Sequence, residues 1–146
     1  MSKIDEFDEK ILRILQRNNR VASEKIAQQV GLSTSAVVRR IQRLRKEGIV
    51  RADVSVVSPA SLGRSLTAVI GVTLETENTA ILNEFKKQVA ESDDVTQCYF
   101  VTGEVDFILV VSVRDMPDFE RFASSFLTEN PHVKRYVTNI VINEVK

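Results

Sequence analysis

The first 50 residues place apolar side chains at helical spacing, and this pattern predicts three helices. The first helix is expected over residues 5–18, with Asp5 or Ser2 as its N-cap. The second is expected to begin at an N-cap, Ser23, and to end at Gly31. The apolar faces of these two helices comprise Phe7, Ile11, Ile14 and Leu15, followed by Ile26, Ala27 and Val30.

The third helix is predicted to begin at the N-cap Ser33 and to end at Gly48. Its apolar stripe consists of Val37, Ile41 and Leu44. Its opposite side is basic and carries Ser35, Arg39, Gln42, Arg43 and Lys46, with Arg40 and Arg45 on the flanks. Such a helix suits the DNA major groove, and the tight turn at 31–33 predicts a helix-turn-helix. A surface helix with solvated charges would show the same pattern, but a plain three-helix bundle leaves the clustered arginines unexplained.

Residues 49–57 begin with alternating apolar and polar positions and are predicted to form a strand, which Ser58-Pro59 and Gly63 end. The remainder reads strand, helix, strand, strand, helix, strand. These elements are expected at 66–75, 78–90, 95–102, 106–113, 115–130 and 133–145. The order predicts an α+β protein. Its parts are a winged-type helix-turn-helix at 1–50, a strand and linker at 51–65, and a βαββαβ ferredoxin-like domain at 66–146.

The strand at 105–113, VDFILVVSV, is apolar on both sides of its pleat. The two predicted helices cover only one face of the sheet, so the other face is expected to be a large apolar patch. A two-fold dimer is the simplest way to cover it, and a dimer would present two recognition helices to two DNA half-sites.

Charge divides the chain, although the net charge is zero. Residues 1–64 carry 13 Lys+Arg and 7 Asp+Glu, a net of +6, and residues 65–146 carry 7 and 13, a net of −6. The basic half has the electrostatic character expected of a partner for nucleic acid. No signal peptide or membrane-spanning run is evident, and Cys98 is the only cysteine, so we expect a cytoplasmic protein without membrane contact.

Several motifs follow one another in a specific order and spacing. They are DEFDEKILRILQRNNR at 5–20, IAQQVGLS at 26–33, VVRRIQRLRKEGIV at 37–50, VTGEVDFILVV at 101–111 and TNIVINEVK at 138–146. The chain thereby resembles the leucine-responsive/asparagine-regulator (Lrp/AsnC, feast/famine) family of transcription regulators over nearly its whole length. The resemblance implies a sequence-specific regulator of double-stranded DNA, a homodimer that assembles further, often to octamers, and a response to an amino acid.

Two sets of site residues are expected. Ser35, Arg39, Arg40, Gln42 and Arg43 would contact DNA, and Lys46, Arg51 and Arg20 would hold phosphates. The resemblance places an effector pocket around Tyr99, Phe100, Thr102, Gly103, Glu104, Asp106 and Thr138. There Asp106 would take the ammonium and backbone N–H groups near Gly103 the carboxylate. Alternatively, Gly103 only makes the turn and Asp106 only satisfies its backbone.

Catalysis, metal binding and a cofactor are not expected. His132 is the only histidine and Cys98 is predicted to lie mid-strand, while two carboxylates on a turn, Glu104 and Asp106, are more typical of solvent exposure than of a metal or acid–base site. Two other functions stay open. One is an architectural protein that compacts DNA with little sequence preference, and the other is an amino-acid-sensing regulatory subunit.

Overall fold

The computed structural model of the chain describes residues 4–76 and 78–145. It divides between Val56 and Val57, inside the predicted linker, into two compact units. We call residues 4–56 the basic unit and residues 57–145, without Glu77, the sheet unit.

The basic unit contains α1 (Glu6–Arg17), α2 (Ser23–Val30) and α3 (Thr34–Lys46). Its buried apolar core consists of Ile11, Ile26, Ala27, Val30, Val37, Ile41 and Leu44. Gly31, at φ +75°, ends α2 in the left-handed conformation that glycine adopts without strain, and Ser33 Oγ accepts the Ala36 N–H at 3.3 Å to begin α3. The predicted helix-turn-helix order is therefore confirmed.

Two details of the predicted helices are wrong. Ala22 is the last extended residue before α2, so Ser23 is already helical and provides no cap. Phe7 is 37% exposed, and the buried residues of α1 are Asp8 and Ile11. In the first turn of α1 the buried side chain is thus Asp8 rather than Phe7, because arginines of α3 pair with the Asp8 carboxylate.

The predicted strand at 49–57 does not form in the described chain. A strand requires a neighbouring strand to satisfy its backbone groups, and the described residues pair none with this segment. The segment is instead connected to α3 by a hydrogen bond, which Arg45 Nε donates to Asp53 Oδ2 at 2.8 Å. A short 3₁₀ turn, Pro59–Leu62, follows.

The sheet unit has the predicted βαββαβ order. Its elements are β1 (Leu66–Leu74), α4 (Thr79–Glu91), β2 (Val95–Phe100), β3 (Phe107–Val113), α5 (Met116–Phe122) and β4 (Val133–Ile140). The sheet is antiparallel in the order β2-β3-β1-β4, which confirms the ferredoxin-like fold.

Element ends differ from the predictions. The final strand stops at Ile140 rather than Val145, and α5 continues as a π-helical segment over Ala123–Thr128. In that segment the Ser125 hydroxyl donates to the Arg121 carbonyl at 3.0 Å, a side-chain bond that competes with the regular helical pattern.

The helices pack on one face of the sheet. Phe85 of α4 and Phe107 of β3 are both 1% exposed, with ring centroids 4.9 Å apart at the centre of this core. The opposite face carries Tyr99, 54% exposed, and Val137, 50% exposed. Ile108 and Val110 lie partly buried between these positions, so the centre of the second face is apolar, while Thr73 and Arg135 lie toward one end of it.

Candidate functional site

The exposed side of α3 carries polar side chains that the basic unit leaves free. Ser35, Arg39, Gln42 and Lys46 are all exposed. Arg39, Gln42 and Lys46 make no side-chain hydrogen bond or ion pair within the described ranges 4–76 and 78–145, so their donors remain available to a partner. Ser35 Oγ lies 3.2 Å from Ser33 Oγ at the start of the helix.

Arg40 and Arg43, which are also predicted to contact DNA, are paired with carboxylates of the α1 region. Arg40 Nη1 donates to Asp5 Oδ2 at 2.7 Å and to Asp8 Oδ1 at 2.8 Å. Arg43 Nη2 donates to Asp8 Oδ2. We call these four side chains the α1–α3 ion network. The side chain of Asp8 is fully buried, while those of Arg40 and Arg43 are 24% and 36% exposed.

The hydrogen bonds of this network shift two pKa values. The Asp8 backbone N–H and then the Arg40 guanidinium lower the pKa of Asp5. Hydrogen bonds to Asp8 and Asp5 raise the pKa of Arg40. Asp5 and Asp8 also cap each other's backbone N–H groups, at 2.8 Å and 3.2 Å, so the same carboxylates begin α1 and hold α3.

The two remaining arginines predicted to hold phosphates lie outside α3. Arg20 follows α1 and is exposed, and its backbone N–H donates to Asn18 Oδ1 at 2.9 Å. Arg51 is exposed and lines a cleft of about 400 Å³ together with Leu12 and Leu15. DNA contact by these eight residues stays a prediction.

A second candidate site lies at the end of the sheet where β2 turns into β3. This cleft of about 390 Å³ is lined by Leu82, Phe100, Val101, Thr102, Gly103, Val105 and Asp106. It therefore unites four of the seven predicted effector residues, namely Phe100, Thr102, Gly103 and Asp106. Sequence reasoning assigned no role here to Leu82, Val101 or Val105. Their positions in the sequence predict only a helix face and the strands around the turn.

Three predicted effector residues are not part of this cleft. Tyr99 pairs with Ile108 and points to the sheet face opposite that of its neighbour Phe100. Glu104 is an exposed turn residue. Thr138 lies on the edge strand β4, where it pairs with Ile70 of β1. Strand β4 is three strand spacings, or about 14 Å, from β2, so Thr138 does not reach the cleft of its own chain.

Asp106 has a structural role in the described chain. Its Oδ2 accepts the Leu74 N–H at 2.7 Å, where the β1–β4 register shifts. Its backbone N–H donates to the Val72 carbonyl, and its carbonyl accepts the Val101 N–H, both at 2.9 Å. The carboxylate thus satisfies a backbone N–H at the end of β1 rather than one in its own turn, while Oδ1 has no partner within residues 4–76 and 78–145.

The rim of the cleft combines an unusual backbone with an aromatic side chain. Gly103 has φ +135°, a conformation that strains any residue with a Cβ, and no described atom beyond its chain neighbours lies within 4 Å of where that Cβ would be. Phe100 is 58% exposed, and Lys86 Nζ lies 4.8 Å from its ring centroid. The cleft therefore offers apolar walls, open backbone and one carboxylate, that of Asp106.

Within the described part of the chain, no three His, Cys, Asp or Glu side chains are placed to hold a metal ion. Cys98 is unpaired, and partial burial raises the pKa of its thiol. No helix among the residues described is long and apolar enough to cross a bilayer.

These two units define a helix-turn-helix protein with a ferredoxin-like second domain. A family model described as the AsnC-type helix-turn-helix domain matches residues 4–45, and one described as the Lrp/AsnC ligand binding domain matches residues 67–146. The chain belongs to the Lrp/AsnC family of DNA-binding transcription regulators.

Similar proteins extend over nearly the whole chain. An uncharacterized HTH-type transcriptional regulator of Sinorhizobium fredii is 42% identical over 99% of this chain and 85% of its own length. The leucine-responsive regulatory protein of Haemophilus influenzae is 29% identical over 98% of this chain and 86% of its own. A transcriptional regulator of Neisseria meningitidis, crystallised as its L-Met complex, superposes with a TM-score of 0.89 at 31% identity, covering 99% of this chain and 93% of that one.

Proposed function

We propose that this protein is a sequence-specific regulator that reads duplex DNA with the exposed side of α3. The observation that supports this most strongly is the row of free donors at Arg39, Gln42 and Lys46 on a helix of a basic unit. Arginine and glutamine side chains have the geometry to read base edges, and lysine near the helix end suits phosphate. Because the proposed target is DNA, the protein is also proposed to act in the cytoplasm.

The cleft at the β2–β3 turn is proposed to bind a free amino acid. Asp106 Oδ1 would accept a hydrogen bond from the ammonium of the amino acid. Backbone N–H groups near Gly103 would donate to its carboxylate. Leu82, Val101 and Val105 would surround an apolar side chain. The L-Met complex of the Neisseria relative supports this ligand class. The proposal includes no other cofactor and no catalytic step.

The partner that covers the second sheet face is proposed to be another copy of this chain. Tyr99 and Val137 are half exposed on that face, with Ile108 and Val110 between them. Burying these side chains in a two-fold dimer would remove apolar surface from water and pair two α3 helices with two half-sites. Further assembly of dimers is part of the same proposal.

Thermal unfolding of the full chain with each protein amino acid at millimolar concentration tests the proposed ligand. An amino acid at about a hundred times its dissociation constant should stabilise the protein by roughly 2.7 kcal/mol. Gly103→Val, which strains the turn at φ +135°, is expected to lose this response. Unchanged unfolding with every amino acid would contradict the cleft assignment and leave the sheet unit as an assembly domain.

Selection from a random duplex pool tests the proposed sequence specificity. We expect an enriched duplex that binds at least a thousandfold more tightly than a scrambled duplex at the same salt. Similar affinities for the two would instead favour an architectural protein that compacts DNA.

A further inference from the structure

The carboxylate of Asp8 is buried between α1 and α3 of the helix-turn-helix. It is the only charged side chain that is fully buried among the described residues, and both of its oxygens accept from arginines of α3. A buried charge is tolerated when its hydrogen bonds are satisfied, and here the partners are on the helix proposed to enter the major groove. Asp8 therefore links the core of the basic unit to its proposed DNA surface.

The two arginines depend on Asp8 to different degrees. Arg40 also bonds to Asp5, whereas every side-chain hydrogen bond of Arg43 among the described residues goes to Asp8. Both arginines keep partly exposed edges and, with Arg39, line a shallow depression of about 220 Å³. They are held in place, yet their outer edges remain open to a ligand.

We propose that Asp8 is a positioning residue for sequence discrimination. By holding the Arg43 guanidinium and sharing that of Arg40, it directs their exposed edges toward base edges at one fixed geometry. It also prevents the two side chains from swinging out to any nearby phosphate. A mobile arginine strengthens binding to every sequence, whereas an oriented arginine distinguishes bases. This inference rests on the proposed DNA surface of α3.

The test compares Asp8→Asn with Glu6→Gln in the full chain. Both changes remove one negative charge from α1, but in the described chain the ion pair of Glu6 is with Lys10 of α1 itself, whereas the ion pairs of Asp8 are with arginines of α3. Binding is measured against salt concentration on the duplex enriched by the wild-type chain and on a scrambled duplex of equal length and composition. The two readouts are the salt slope on the scrambled duplex and the ratio of the two affinities.

We expect Asp8→Asn to steepen the slope of log affinity against log salt by about 0.9 for each arginine newly engaged with phosphate. We also expect it to lower the affinity ratio roughly tenfold, while Glu6→Gln changes neither slope nor ratio detectably. A merely structural loss would scale the active fraction equally on both duplexes and leave slope and ratio unchanged. Equal slopes and ratios for the two variants would overturn the proposal, as would a steeper slope with an unchanged ratio.

A second variant decides the matter if Asp8→Asn does not fold. Arg43→Ala leaves Asp8 paired with Arg40 and should lower affinity for the enriched duplex roughly tenfold, with little effect on the scrambled one. An equal loss on both duplexes would show that Arg43 only holds phosphate and would overturn the inference. Failure of Arg39→Ala to weaken the enriched complex would count against the proposed α3 surface itself, so the two failures are distinguishable.

Discussion

The two units of this protein bury different chemistry. The basic unit has a small aliphatic core with a fully buried carboxylate at its edge, and two arginines of the proposed DNA helix satisfy that carboxylate. The sheet unit has a larger core centred on paired phenylalanines, and Ser112 is its one buried polar residue among those described. In the basic unit, side chains proposed to contact DNA therefore also pair with a buried group. In the sheet unit, the residues that line the cleft are not among the buried core residues.

The largest expected effect on stability comes from a substitution in the aromatic core of the sheet unit. Phe85→Ala removes a ring that is 1% exposed and packs against Phe107, so we expect a loss of about 3–5 kcal/mol in the free energy of unfolding. Chemical denaturation of the full chain measures it. Phe100→Ala is the matched control, because that ring is 58% exposed and should cost less than about 1 kcal/mol. Similar losses for both would contradict the assignment of the core.

A smaller effect would sharpen the role of the basic unit. Arg39→Ala removes an exposed guanidinium that has no partner in the described chain, so stability should change by less than about 0.5 kcal/mol. Affinity for the enriched duplex should fall by about 1–3 kcal/mol because a base contact is lost. Fluorescence anisotropy on labelled duplex measures this change.

Lys46→Ala provides the contrast on the same helix. A phosphate contact should weaken enriched and scrambled duplexes alike and reduce the salt slope by about 1. If Arg39→Ala and Lys46→Ala behave identically on the two duplexes, the proposed division between base and phosphate contacts is wrong.

Local patterns predicted the fold well, because each depends on near neighbours. The alternation of Ala68, Ile70, Val72 and Leu74 predicts the strand and its buried face, and Ser33 predicts the start of α3. The strand expected at 49–57 does not form, although its local pattern resembles that of β1. Its alternation is local, but a strand requires a partner that the described chain does not supply.

The sites were less predictable because they depend on distant pairs. Asp8 and Arg43 are separated by 35 positions, and an aspartate beside Phe7 reads as an ordinary solvated charge until the fold joins α1 to α3. Its position three residues before Ile11, on the buried helical face, was the available signal. Thr138 required the strand order, which places β4 and β2 at opposite edges.

A regulator that responds to an amino acid requires the proposed cleft of the sheet unit to influence DNA binding by the basic unit, and one measurement tests this directly. The affinity of the full chain for the enriched duplex is determined with and without the amino acid that most stabilises the protein. We expect the affinity to change by about 5–150-fold, the usual range for coupled sites, and Gly103→Val to abolish that change while retaining DNA binding. An identical affinity with and without the amino acid would contradict the account of an amino-acid-responsive regulator.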